Sequence, residues 1–135
     1  MDIWLEADGD ELRKRFFSLT TPRDIAKMLE IDYSRLVYCL YVLPEEKRYV
    51  SFTIAKRSGG VRDISAPLPA LKDVQTRLAL VLGQVYQPKG PTHGYVKNKS
   101  IVTNAERHSR RRYVLNLDLQ DFFPTITFKR VRGLF

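Results

Sequence analysis

The chain has 135 residues, 44% hydrophobic and 28% charged, the proportions of a globular protein with room for one sizeable core. Its apolar runs are only a few residues long, which excludes a membrane-spanning helix, and the acidic start Met1-Asp2-Ile3-Trp4-Leu5-Glu6 lacks the basic and apolar regions of a secretory signal. Its one cysteine, Cys39, excludes an internal disulfide; in an apolar helical stretch it is expected to be buried packing in a cytoplasmic protein. The formal net charge of +8 is unevenly spread. Residues 1–50 carry 8 basic and 10 acidic side chains, residues 51–90 carry 6 and 2, and residues 91–135 carry 9 and 3. The C-terminal third is therefore strongly basic, which suits a polyanionic partner.

The first fifty residues read as helical. A short helix beginning near Asp10 places Leu12, Phe16 and Phe17 on one face. Thr21-Pro22-Arg23-Asp24 reads as a helix start, with Thr21 as N-cap, Pro22 in the first turn and Asp24 closing a capping box. That helix carries Ile25, Ala26, Met28 and Leu29. After a turn near Ile31-Asp32, a second helix carries Leu36, Val37 and Leu40. The pair over residues 22–41 has the outline of a helix-turn-helix, but Glu30 stands where the turn usually has glycine, and the second helix offers Ser34 and Arg35 rather than a basic face.

Tyr49 to Ile54 alternates as a strand, Ser58-Gly59-Gly60 supplies a turn, and Val61 to Ile64 forms the returning strand, stopped by Pro67. Lys56, Arg57 and Arg62 cluster at this hairpin tip, where an ammonium and a guanidinium fork could hold a triphosphate. From Leu71 to Tyr86 the apolar positions Leu71, Val74, Leu78, Val81, Leu82 and Val85 predict an amphipathic helix packed on the sheet, with Lys72, Gln75 and Arg77 outward. His93 to Ser100 is glycine-containing, basic and aromatic, and suits a nucleic-acid backbone. Ser100 to His108 reads as a short helix with Ile101 and Ala105 inward, followed by the basic run Arg110-Arg111-Arg112.

Tyr113 to Gln120 alternates as a strand, with Leu115, Leu117 and Leu119 on one face and Asn116, Asp118 and Gln120 on the other. Asp118 would thus stand on the polar face of a rigid strand, and Asp121 follows three residues later, just before Pro124. Nucleotidyl transfer needs hard carboxylate oxygens held where Mg²⁺ must sit. No Walker loop, dinucleotide fingerprint, nucleophile elbow or zinc spacing competes with this reading.

Five blocks in order carry a resemblance: Lys56-Arg57-Ser58-Gly59-Gly60-Val61-Arg62-Asp63-Ile64-Ser65-Ala66-Pro67; Leu71-Lys72-Asp73-Val74-Gln75; His93-Gly94-Tyr95; Ser100 with Asn104-Ala105-Glu106-Arg107-His108; and Leu117-Asp118-Leu119-Gln120-Asp121-Phe122-Phe123. The chain from about residue 12 to its end resembles bacterial reverse transcriptases. The Asn-Ala-x-x-His element and the closing Phe128-Lys129-Arg130-Val131-Arg132-Gly133-Leu134-Phe135 are most similar to the retron subgroup. The implied fold is α+β, the fingers and palm of a right-hand polymerase, truncated, with N-terminal helices. The implied organisation is a helical segment over 1–46, a fingers region over 47–112 and the start of the palm over 113–135.

The resemblance also implies roles. Lys56 and Arg62 would hold the phosphates of the incoming deoxynucleotide. Asp118 and the backbone carbonyl of Leu119 would bind metal, with two Mg²⁺ in the complete enzyme. Asp121 and Phe122 would cradle the triphosphate through backbone N–H groups, and Phe123 would be the steric gate against a ribose 2′-hydroxyl. Arg57, Lys97, Lys99, Arg110, Arg111 and Arg112 would contact nucleic acid. The partners would be a structured RNA template, a DNA primer and dNTP, with an effector protein or the remaining palm and thumb besides, in a cytoplasmic antiphage system that makes msDNA. The family's Tyr-x-Asp-Asp turn does not occur in these 135 residues, so this segment alone is expected not to polymerise and to expose apolar surface. Two alternatives stand beside this: a non-catalytic RNA-binding or interaction module with the fingers fold, and a helix-turn-helix DNA-binding regulator using residues 22–41.

Overall fold

The computed structural model describes residues 5–134, a mixed α and β chain that divides into two compact units, Met1–Gln87 and Pro88–Phe135. The division falls inside the 47–112 segment.

In the first unit α1 (Gly9–Phe17), α2 (Pro22–Met28) and α3 (Tyr33–Val37) precede a π-helical turn (Tyr38–Val42), a 3₁₀ turn (Glu45–Lys47), strands β1 (Tyr49–Ala55) and β2 (Val61–Pro67), and helix α4 (Pro69–Val85). The caps follow from the side chains. Asp8 accepts the Glu11 N–H at the start of α1. At α2 the Thr21 hydroxyl accepts the Asp24 N–H, while the Asp24 carboxylate accepts the Thr21 N–H at 2.8 Å, the expected capping box. α2 ends at Met28 with Leu29 as its cap, and Glu30 follows at φ 52°, supplying the left-handed turn usually given to glycine. Glu30 also secures the N-terminal segment, its carboxylate accepting the Glu6 N–H at 2.8 Å.

The core is helical. Leu12, Ala26, Met28, Leu29, Leu36, Cys39, Leu71, Val74 and Val81 are buried together, each large side chain contributing about 1.5–3 kcal/mol by leaving water. Cys39 is buried as expected. Several finer expectations are overturned. Helix α4 packs on α1, not on the sheet, because the helical layer already presents the apolar stripe that Leu71, Val74 and Val81 need. Arg77 does not face outward: its Nη1 donates to the carbonyls of Leu29 (3.1 Å) and Glu30 (3.4 Å), and its Nε to Asp73 (3.1 Å). Phe17 is 69% exposed although it follows the buried face, because α1 ends there and only Phe16 turns inward. Leu40 and Leu78 are also exposed; the π-helical turn at Tyr38–Val42 rotates Leu40 off the inward face.

The two strands form an antiparallel hairpin, Tyr49 opposite Pro67 and Ala55 opposite Val61, as the alternation predicted. Arg48 anchors its base, donating to the carbonyls of Leu43 (3.1 Å) and Leu40 (3.0 Å), and Gln75 of α4 donates to the Tyr49 hydroxyl (2.8 Å).

The second unit contains α5 (Ile101–Glu106), a 3₁₀ turn (Phe123–Thr125) and α6 (Phe128–Arg132), and none of its described residues is buried. The predicted strand at Tyr113–Gln120 is not formed. A strand needs a neighbour for its N–H and C=O groups, and no segment among the described residues pairs with it; the residues instead run without regular hydrogen bonding. The row Leu115, Leu117 and Leu119 therefore faces solvent, Leu117 at 83%. Ile101, expected inward on α5, is 87% exposed for the same reason: a six-residue helix has no layer to pack on here.

Candidate active site

Asp118 lies in the extended stretch before a turn at Gln120–Phe122, and both it and Asp121 are exposed. The turn is closed by Thr125, whose N–H reaches the carbonyl of Phe122 at 3.1 Å and whose hydroxyl donates to the same oxygen at 2.7 Å. Asp121 adopts φ 52°, a left-handed conformation that short polar side chains tolerate. This reverses the chain so that Asp118 and Asp121 line one depression of about 630 Å³ together with Leu117, Leu119, Phe122, Phe123 and Pro124. The rings of Phe122 and Phe123 meet edge to face at 5.6 Å, which fixes the apolar wall beside the two carboxylates. The predicted members Asp118, Leu119, Asp121, Phe122 and Phe123 are thus brought together, although by a turn rather than by a sheet.

The donors are hard oxygens in an open place, which fits Mg²⁺, an ion that keeps several waters and takes one or two carboxylates plus substrate phosphates. Among the described residues no group of three or more His, Cys, Asp or Glu side chains converges.

A second depression lies at the hairpin tip, within the first unit. Gly59 and Gly60 take φ 88° and 82°, and the loop is closed by Lys56 N–H to Gly60 O (3.0 Å) and Gly59 N–H to Lys56 O (3.1 Å). Lys56, Arg57 and Arg62 line a depression of about 360 Å³ with Ile54, Ala55 and Ser58, and none of the three cations forms a salt bridge among the described residues. A cluster of cations without salt-bridge partners has the charge that suits an anion.

The other basic residues are less alike than their sequence suggests. Lys97 is exposed, whereas Lys99 is half-buried and donates to the carbonyls of Gly90 (2.8 Å) and Thr92 (2.6 Å), closing the 90–99 loop. Two of its three ammonium donors are used there. Arg110 takes φ 59°, Arg111 is exposed, and the Arg112 guanidinium lies 5.3 Å from the centre of the Tyr113 ring. In the helix pair over 22–41, Arg35 is not free to read DNA: its Nη2 is bound to Asp73 at 2.9 Å, and Arg23 stacks on Tyr33 at 4.5 Å.

Over 116 residues, 84% of this chain, 43% are identical to the retron Mx65 reverse transcriptase of Myxococcus xanthus. The chain is a relative of the retron reverse transcriptases. It is also 36% identical over 118 residues to the retron Mx162 reverse transcriptase of the same organism and 30% identical over 114 residues to the retron Ec86 reverse transcriptase of Escherichia coli. The chain spans 27%, 24% and 35% of the length of these three retron enzymes, so it corresponds to about a quarter to a third of each. No family model matches, and no solved structure matches. Among the described residues no helix is long and apolar enough to cross a membrane.

Proposed function

We propose that this chain is the fingers and first palm portion of a retron-type RNA-directed DNA polymerase, with residues 1–46 as a helical segment, 47–112 as fingers and 113–135 as the start of the palm. The observation that carries this reading is the 43% identity over 84% of the chain to a retron reverse transcriptase. The gathering of Asp118, Asp121, Phe122 and Phe123 around one depression supports it.

Each residue then has a task. Lys56 and Arg62 neutralise the triphosphate of an incoming deoxynucleotide, the lysine as a point charge and the arginine as a planar fork. The backbone N–H groups of Asp121 and Phe122 donate to phosphate oxygens. Phe123 presents its ring where a ribose 2′-hydroxyl would project, and so selects deoxynucleotides. Asp118 and the Leu119 carbonyl are the protein's ligands for Mg²⁺, which when bound lowers the cost of placing a hydroxyl nucleophile beside a triphosphate. Arg57, Lys97, Arg110, Arg111 and Arg112 hold the template–primer backbone, with Lys99 both shaping its loop and offering its third N–H. The partners are a structured RNA template, a DNA primer and dNTP, in a cytoplasmic system that makes msDNA for antiphage defence together with an effector protein.

The test is primer extension by the full-length protein on an RNA template annealed to a DNA primer, with Mg²⁺ and four deoxynucleotides. The expected product is DNA complementary to the template and lost on adding a chelator. Extension that ignores the template sequence, or that uses ribonucleotides equally well, contradicts the proposal.

A further inference from the structure

Tyr95 is fully exposed, at 104% of its reference area, the highest value of any large hydrophobic residue described. It also sits at φ 59°, a conformation that costs an L-residue about 1–2 kcal/mol. Folding of the loop by itself gains nothing from displaying this ring. Yet the loop is not loose. Lys99 Nζ ties Gly90 O to Thr92 O, His93 Nδ1 lies 2.8 Å from Pro91 O, and Lys99 N–H donates to Val96 O at 3.2 Å. The backbone before the ring is likewise uncrowded: a Cβ on Gly94 would meet no atom beyond its chain neighbours within 4 Å. Its charged setting is strongly biased: residues 88–135 hold ten lysines and arginines against three carboxylates, a net of +7.

An aromatic face held out by a closed loop, flanked by Lys97 and set in a cationic unit, has the chemistry of a base-stacking platform. A protein-docking aromatic would instead be ringed by exposed apolar neighbours, whereas Tyr95 stands between Gly94 and a half-buried Val96, with His93, Lys97 and Asn98 on either side. We propose that Tyr95 stacks on an unpaired nucleobase of single-stranded nucleic acid, with Lys97 neutralising the adjacent phosphate. The ligand class rests on the nucleic-acid reading above; the role of Tyr95 does not depend on Asp118.

The test is fluorescence anisotropy of the 135-residue chain with a labelled single-stranded RNA of about 12 nucleotides, within the usual single-strand site sizes. Tyr95→Ala is expected to weaken binding about 5- to 150-fold, the range of one base–aromatic stack, with the salt dependence unchanged. Tyr95→Phe keeps the π-face and should bind like the unsubstituted chain. Blunt duplex RNA, whose bases are already stacked, should be bound equally by all three. A single-stranded DNA of the same sequence separates a base-only contact, which treats both alike, from one that adds a 2′-hydroxyl contact, which favours RNA. Unchanged single-strand binding by Tyr95→Ala, or no single-strand binding by the unsubstituted chain, overturns the proposal. So does an equal loss on duplex RNA or a lowered unfolding midpoint in Tyr95→Ala, because either marks the ring as packing. The polymerase reading fails separately, through template-directed extension.

Discussion

Arg77→Met removes a guanidinium that does three things at once. It caps the C-terminal end of α2 through the carbonyls of Leu29 and Glu30, pairs with Asp73 on its own helix, and so fastens α4 to the turn before α3. Arg77 and Asp73 have side chains only 20% and 17% exposed, so water replaces these bonds poorly. Losing charge-assisted hydrogen bonds costs about 1.5–3 kcal/mol, and leaving the carbonyl of the buried Leu29 without its donor adds about 1 kcal/mol. The methionine retains most of the aliphatic packing, so the expected loss is about 3 kcal/mol, a large share of a typical 5–15 kcal/mol total. Arg77→Lys keeps a positive charge near Asp73 but cannot span carboxylate and carbonyls together, and should lose about half as much. Urea unfolding followed by far-ultraviolet circular dichroism reads this directly, with the slope expected to stay constant. An Arg77→Met loss under about 0.5 kcal/mol, the size of an ordinary surface substitution, would refute the argument.

Two further outcomes follow from local geometry. Hydrogen bonds from the Thr21 hydroxyl and backbone, then from Thr20, hold the Asp24 carboxyl down from 3.8 to about 2. Because the folded value lies below the unfolded one, this stabilisation is complete above about 3.8 and fades as pH falls toward 2. The stability gap between the unsubstituted chain and Asp24→Asn should therefore be widest above that range and close on acidification; a gap independent of pH would contradict the assignment. Gly60→Ala meets open space but must hold φ 82°, so it should destabilise the hairpin by about 1 kcal/mol, read as faster amide exchange at Lys56 and Gly59. Unchanged exchange there would show that the tip does not need its left-handed turn.

The parts legible in the sequence were those set by neighbours along the chain. The Thr21–Asp24 capping box and the glycine turn between the two strands depend on residues within a few positions of each other, and Cys39 is buried as its apolar stretch implied. Arg77 turns inward although helical periodicity marks it as a polar position, because the carbonyls it caps lie 47 and 48 residues away. The alternation at Leu115, Leu117 and Leu119 is a real strand signal, but a strand forms only against a neighbour, and none of the described residues provides one. The candidate site fared differently. Asp118, Asp121, Phe122 and Phe123 come together through a tight turn that Pro124 helps to close, so their grouping survives without the sheet that the pattern predicted.

The proposed RNA-templated DNA synthesis requires Asp118 as a metal ligand. The most direct measurement is primer extension on an RNA template by the full-length protein carrying Asp118→Asn, with unchanged folding verified by circular dichroism. The expected result is loss of extension by about a hundredfold or more, since removing a charge-stabilising ligand costs at least that of one oxyanion donor. Extension at the unsubstituted rate would contradict the claim and leave the basic surfaces as those of a nucleic-acid-binding protein whose chemistry lies elsewhere.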